Sequence, residues 1–251
     1  MTYPVDNYFM GQGRVYAALR DTTAVPLGFR FLGNAPKVTL NLGQHAVQYA
    51  TGGTQAPRNK HASAQPPTID IDLESLNKEN LAISLYGTPS TIAGASVSGE
   101  QTKLYAGQYT PLTNINLQSI ASVTNVGATI TYVNGVDYVP NLPMGTLQSL
   151  IGGAIADGQI VMVNYTFQSH DKVGGFTTAP GVYWIRFEGI NLIKNNSPVV
   201  VDVFKVRIKP IDGFGLLGDN IVALALRGRI LRDYTQPTLT TEGGLIRIRQ
   251  L

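Results

Sequence analysis

The sequence predicts a mainly β protein of sandwich or barrel type with one flanking helix. Three observations carry this. Apolar and polar residues alternate with period two in segments such as "TIDIDL" (68–73) and "LIRIR" (245–249). The 251 residues include 27 Gly and 14 Pro, enough to punctuate many short strands with turns. Only "NKENLAISLYG" (77–87) carries the start and stop signals of a helix.

The elements follow in chain order. "QGRVYAALR" (12–20) reads as the first strand, with Gly11 in a turn before it. "FRFLGNAPKVTLNL" (29–42) reads as a strand broken at Gly33-Asn34-Ala35-Pro36. Residues 43–67 show no apolar periodicity and carry only Arg58 and Lys60 as formal charges. They read as a long loop: either a surface loop, or an arm that orders against a neighbouring subunit. In "TIDIDLESL" (68–76), Ile69, Ile71 and Leu73 share one strand face, and Asp70, Asp72 and Glu74 share the other. Asn77 N-caps a helix over 78–86, with Glu79 in its first turn, Leu81, Leu85 and Tyr86 as its buried stripe, and Gly87 as its stop.

Residues 88–102 read as a Ser/Thr/Gly/Ala connector. Short strands follow to residue 168: "ATITYVNGVDYV" (128–139) predicts a hairpin at Asn134-Gly135, and "GTLQSLI" and "QIVMVNYTF" supply further strands. Longer strands return at 181–189, 198–210 and 220–231, and "GLIRIRQ" (244–250) follows them. Residues 104–168 hold only two charges, Asp137 and Asp157, whereas 199–251 hold eight basic against five acidic side chains. That shift predicts an inserted β-rich module at 103–168 inside a larger domain of residues 1–102 and 169–251.

Composition restricts function. No run of about 18 apolar residues exists, so no transmembrane helix and no membrane partner is expected. The first residues show no basic region followed by an apolar stretch, so no secretory signal is expected. Cys is absent, which excludes disulfides and thiolate metal sites and suits a reducing cytoplasm. A net charge of +3 is too mild for a dedicated nucleic-acid-binding domain.

Catalytic and metal signatures are lacking. His45, His61 and His170 lack ligand spacing, and no nucleophile elbow, phosphate loop or zinc helix motif occurs. Asp70, Asp72 and Glu74 would spread over roughly 13 Å at about 3.3 Å per residue, too far to converge on one cation. Two sequons, at 164–166 and 195–197, read as chance without a secretory signal. No cofactor and no enzyme activity are expected.

The order of the pieces carries a resemblance. "GQGRVYAALRD", "GFRFLGNAPKVTLNL", a long loop, "LESLNKENLAISLYGT", "YWIRFEGINLIKNNSPVVVDVFKVRIKP" and "LRGRILRD" together resemble the major tail tube proteins of tailed bacteriophages, over about residues 10–100 and 170–235. The segment 130–167 resembles a β-rich segment of some phage tail proteins. The resemblance implies a subunit that joins its strands with five others into a continuous barrel, in hexameric rings stacked as a tube. Implied partners are further copies, the tape measure, terminator and baseplate proteins, and double-stranded DNA passing without specific binding. The implied place is the virion tail, assembled in the host cytoplasm, with the inserted module suiting a non-contractile tail. Gln55, Arg58, Asn59, Lys60 and His61 would belong to an arm reaching the next ring. Asp70, Asp72 and Glu74 would line the lumen and repel phosphate, or else face outward water. Arg227, Arg229, Arg247 and Arg249 would contact neighbouring subunits, or else be solvated.

Two other classes stand beside this one. A carbohydrate-binding or adhesin-like sandwich would use exposed aromatics, for which Tyr132, Tyr138 and Tyr165 are the candidates, although Tyr at strand positions more often packs in the sheet. An enzyme ranks last. Deleting residues 52–64 is expected to leave a folded monomer that does not stack; normal-length tubes from that variant would refute the arm.

Overall fold

The computed structural model describes residues 9–21, 23, 25–42, 44–48, 60–64, 66–219, 221–235 and 244–251, with backbone alone at 44–48 and 60–64. The elements begin with β1 (Gly11–Leu19), β2 (Arg30–Phe31), β3 (Lys37–Asn41), β4 (Gln44–Gln48), β5 (Lys60–Ala64), β6 (Thr68–Leu73) and α1 (Lys78–Ser84). They continue with β7 (Thr88–Ile92), β8 (Ala95–Leu104), β9 (Tyr109–Pro111), β10 (Leu117–Asn125), β11 (Thr131–Tyr132), β12 (Tyr138–Asn141), β13 (Thr146–Ser149) and β14 (Gln159–Phe167). Last come β15 (His170–Gly174), β16 (Val182–Asn191), β17 (Ser197–Ile208), β18 (Leu224–Ile230) and β19 (Ile246–Gln250). Strands hold 53% of the described residues and the helix 3%, so the fold is mainly β. The chain divides into two compact units: one runs up to Pro89 and resumes at Val173, and the other is Ser90–Lys172.

The first unit is an eight-stranded sheet in the order β2-β1-β16-β17-β18-β6-β3, with β19 also on β17. Its ladders are antiparallel. β17 is its spine. The β16 register steps from Tyr183↔Val206 to Ile185↔Val203, so Trp184 alone opposes Phe204 and Lys205. This bulge coincides with a change of partner on the other edge: β19 pairs with Val199–Val203, and β18 with Val206–Ile208. Alternation then builds the core. Ile69, Ile71 and Leu73 of β6 meet Val203, Val206 and Ile208 of β17, with Val15, Ile185, Leu224, Leu226 and Ile230. Burying each such side chain stabilises the fold by about 1.5–3 kcal/mol. Gly13 and Gly189 are cross-strand partners, and a Cβ on either would lie within 2.7 Å of the Phe187 ring. One ring thus covers both glycines and helps hold the β1–β16 register.

The helix is shorter than the 78–86 expected. Asn77 caps it, accepting from the Asn80 N–H at 2.8 Å. Its buried residues are Asn80, Ala82 and Ser84, while Leu81 and Ile83 pack partly on the core and Leu85 and Tyr86 stay half-buried. The helix lies close enough to the sheet to bury its small side chains, so large apolar spacing marked only part of the contact. Tyr86, not Gly87, takes the left-handed position (φ 47), and the Gly87 N–H closes the turn on the Ala82 carbonyl. Gly87 is needed for another reason: a Cβ there would lie 2.5 Å from the Gly174 carbonyl oxygen.

Two expected featureless stretches contain strands. The loop 43–67 opens and closes in a ladder, β4 on β5, from Gln44↔Ala64 to Gln48↔Lys60. The connector 88–102 contains β7 and most of β8. A ladder uses backbone N–H and C=O groups, so it forms without an apolar alternation to announce it. Because β8 pairs with β14 along Ala95–Leu104, the second unit starts at Ser90 rather than 103 and ends at Lys172 rather than 168.

That second unit has a four-stranded sheet, β11-β10-β14-β8, and a three-stranded sheet, β12-β13-β9. Its core includes Leu104, Val123, Leu147, Val161 and Val163. The Asn134-Gly135 turn forms, with Gly135 at φ 82, but it does not join a hairpin, because β11 pairs with β10 and β12 with β13. The carboxylate of Asp137 accepts from the Val133 N–H at 2.7 Å and the Ala154 N–H at 2.8 Å. Those bonds hold its pKa below the ordinary value and direct the two strands into different sheets.

Asn80 tests the packing of α1. Fully buried, it accepts from Arg30 and donates to the Leu32 and Ser75 carbonyls at 2.7 and 2.8 Å. Asn80→Ala is expected to destabilise the first unit by roughly 1–3 kcal/mol for each buried group left unpaired, measured by urea unfolding.

Candidate functional site

The outer face of β3, β6 and β18 is a mosaic of both signs. Asp70 and Asp72 point outward from β6 while Ile69, Ile71 and Leu73 point in. Asp70 sits between Thr39 of β3 and Arg227 of β18 in the ladder. Its Oδ2 lies 3.3 Å from Arg227 Nη1 and accepts from Asn41 Nδ2 at 2.7 Å. Asp72 sits between Lys37 and Ala225. Glu74 falls beyond the strand. The β3–β6 ladder ends at Lys37↔Asp72, next to Pro36, which has no N–H to extend it, and Glu74 instead accepts from the Asn34 side chain. The row of three carboxylates is therefore two on the strand and one at its end. Arg229 lies opposite Thr68 and Arg207, with no ion pair among the described residues.

A second cluster surrounds Asp202, the lone acid of "VVVDVF". Its side chain is fully buried on the outer face of β17. Arg186 Nη1 reaches Oδ1 at 3.0 Å, and Arg247 and Arg249 reach Oδ2 at 3.1 and 3.0 Å. Trp184 Nε1 donates to Oδ1 at 3.2 Å. Burial pushes the carboxyl pKa up, but the bonds from Arg247 and Trp184 and the charge of Arg186 outweigh it, leaving it below the ordinary 3.8. Aromatic rings frame the cluster: Arg247 lies over Phe204 and Arg186 over Phe29, and Trp184 meets both rings edge-on. Beside it, Arg20 and Asp233 form a buried ion pair at 2.9 Å. Three of the four arginines expected at subunit contacts, Arg227, Arg247 and Arg249, thus have carboxylate partners in their own chain.

The third feature is where the sheet stops. Among the described residues no ladder joins β3 to β1. Between them opens a cleft of about 860 Å³, lined by Gln12, Gly13 and Val15 on one side, Lys37, Val38 and Leu40 on the other, and Ile69, Phe187 and Val201 within. The cleft exposes apolar core and the adjoining strand edges together.

The other expected residues fall elsewhere. Gln55, Arg58 and Asn59 lie outside the described residues; Lys60 and His61 lie on β5, opposite Gln48 and Val47. His45 lies on β4 opposite Ser63, and His170 stacks near Phe167. Among the described residues no three His, Asp or Glu side chains gather as metal ligands. Tyr132, Tyr138 and Tyr165 are buried core residues and not a binding face. Tyr165 donates to Glu100 Oε2 at 2.5 Å and accepts from Asn114 at 2.9 Å. Sequence reasoning passed over Asp202, Trp184 and Arg186; the one available signal was a single carboxylate inside an otherwise apolar strand.

A family model described as "Protein of unknown function UCP028589" matches residues 8–249. The chain belongs to this family. The match runs through both compact units, so the family's shared sequence includes the inserted one. No curated protein matches the chain.

Removing the buried carboxylate would leave three guanidinium groups facing one another. Asp202→Asn is expected to destabilise the fold by about 3–5 kcal/mol, read by denaturant unfolding at neutral pH. A lowered native pKa makes this stabilisation complete above the unfolded value and lost as pH falls through the native one. The gap between wild type and D202N therefore narrows below about pH 4.

Proposed function

We propose that this chain is a structural subunit that self-assembles into stacked hexameric rings, the tail tube of a bacteriophage and the conduit for its DNA. The observation that carries the reading is the incomplete sheet: it ends at β3 on one side, while on the other the two-residue β2 pairs only with Tyr16 and Ala17 of β1, so β3 and the start of β1 face each other across an apolar cleft. A lone chain leaves strand edges and apolar surface open there, and further copies of itself can cover them. The resemblance in "KENLAISLYG" and "RFEG…VVVDVFKVRIKP" supports the tube as the form of assembly.

In this reading the β3–β6–β18 face lines the lumen. Arg227 is paired with Asp70, and Asp72 and Glu74 offset Lys37 and Arg229 on the same face, so the face carries no net positive charge with which to hold phosphate. The Asp202 cluster is the rigid brace that keeps β16, β17 and β19 in register for the ring. Recognition of carbohydrate by the inserted unit is the second reading. With Tyr132, Tyr138 and Tyr165 buried, it draws on Tyr109, 66% exposed, and Tyr105.

Negative-stain electron microscopy over a concentration series tests the proposal. Rings or tubes with an open channel are expected; small single particles at every concentration, together with glycan binding abolished by Tyr109→Ala, would replace it with the second reading. Changing Asp70, Asp72 and Glu74 together to Lys is expected to permit assembly and slow DNA ejection. Unchanged ejection would move this face to the tube exterior.

A further inference from the structure

Between β17 and β18 the chain runs through "DGFGLLGD" (212–219), a loop built as an apolar prong. Leu217 is 97% exposed and Leu216 is 79% exposed, with Phe214 beside them. A Cβ added at Gly213, Gly215 or Gly218 would meet no atom of the described residues within 4 Å, so the tip of the loop projects clear of them. Exposed leucines at the tip of a small-residue loop, flanked by Asp212 and Asp219, are a costly surface for a lone chain. The same chain carries an unfilled apolar cleft between β1 and β3, walled by Val15, Val38, Leu40, Ile69, Phe187 and Val201. At its rim stands exposed Lys37, which has no ion pair among the described residues.

We propose that the 212–219 prong of one copy docks in the β1–β3 cleft of the next. The leucines and Phe214 enter the cleft, and Asp212 or Asp219 meets Lys37 at the rim. Prong and cleft are different surfaces of one chain, so the contact is head-to-tail; it closes into a ring when the rotation between copies divides a full turn, and propagates as a filament when it does not. This names the contact by which the self-assembly proposed above occurs, and it rests on that reading.

The test uses the full chain, which has no cysteine of its own. Copies carrying Leu217→Cys are mixed with copies carrying Lys37→Cys under assembly conditions and oxidised. Disulfide-linked heterodimers are expected in excess over either homodimer. The double change Leu216→Asp with Leu217→Asp, at two positions 79% and 97% exposed, is expected to leave a monomer with wild-type unfolding and no higher-order species in sedimentation. Equal assembly by this double variant, or crosslinks confined to Leu217→Cys homodimers, would overturn the docking while leaving self-assembly standing. A wild type that never associates would remove both. Flotation of the wild type with phospholipid vesicles, lost in the double variant while copies fail to crosslink, would reassign the prong to a lipid surface.

Discussion

One extra residue in β17 governs the larger unit. Opposite Trp184 the strand presents both Phe204 and Lys205, and from there inward and outward positions exchange parity. Before the bulge, Val199, Val201 and Val203 turn toward the core and Asp202 turns away; after it, Val206 and Ile208 continue the core. The bulge also separates the stretch that pairs with β19 from the stretch that pairs with β18. A strand of uniform pleat would place one of its halves with the wrong face inward. With that change of face, residues of β1, β16, β17, β18 and β6 all contribute to one apolar core.

Asp202 shows what holds that arrangement in register. A buried carboxylate with three guanidinium partners and an indole N–H draws side chains from β16, β17 and β19 to one point. Such a cluster contributes little if replaced as a whole by apolar packing, yet it is costly to break in part. Its value here is positional: backbone ladders alone permit slippage, and the convergent arginines penalise it. On the opposite side of the unit, the Asp70–Arg227 pair is half exposed and contributes far less. The two charged groups therefore differ in kind, one bracing the sheet and the other conditioning a surface.

The larger unit satisfies its core more fully than its edges. Its sheet ends beside an apolar cleft, and its β17–β18 loop presents leucines to solvent. The inserted unit has two small sheets and a core of its own. The apolar cleft and the exposed leucines of the larger unit suit it to association through those surfaces.

Much of this was legible in the residues. Period-two alternation marked β1, β6, β14, β16, β17 and β18 within a few positions, because the pleat places alternate side chains on opposite faces whatever the partner. Asn77 marked the helix start, because capping is local chemistry. The long interruption of charge at 104–168 marked the inserted unit, though not its ends. What alternation could not show was pairing. The ladders of β4 with β5 and of β8 with β14 are made by backbone groups that every residue carries, and the Asn134-Gly135 turn reads the same whether its flanking strands pair with each other or, as here, with different sheets. Nor could it show that Tyr132, Tyr138 and Tyr165 are core, that Asp202 gathers three arginines from distant segments, or that β1 and β3 stop short of each other across a cleft. The sequence by itself determined the local period, the caps and the faces; only the tertiary structure decided the partners, because those depend on contacts between residues well separated along the chain, from successive strands such as β4 and β5 to strands as distant as β1 and β16.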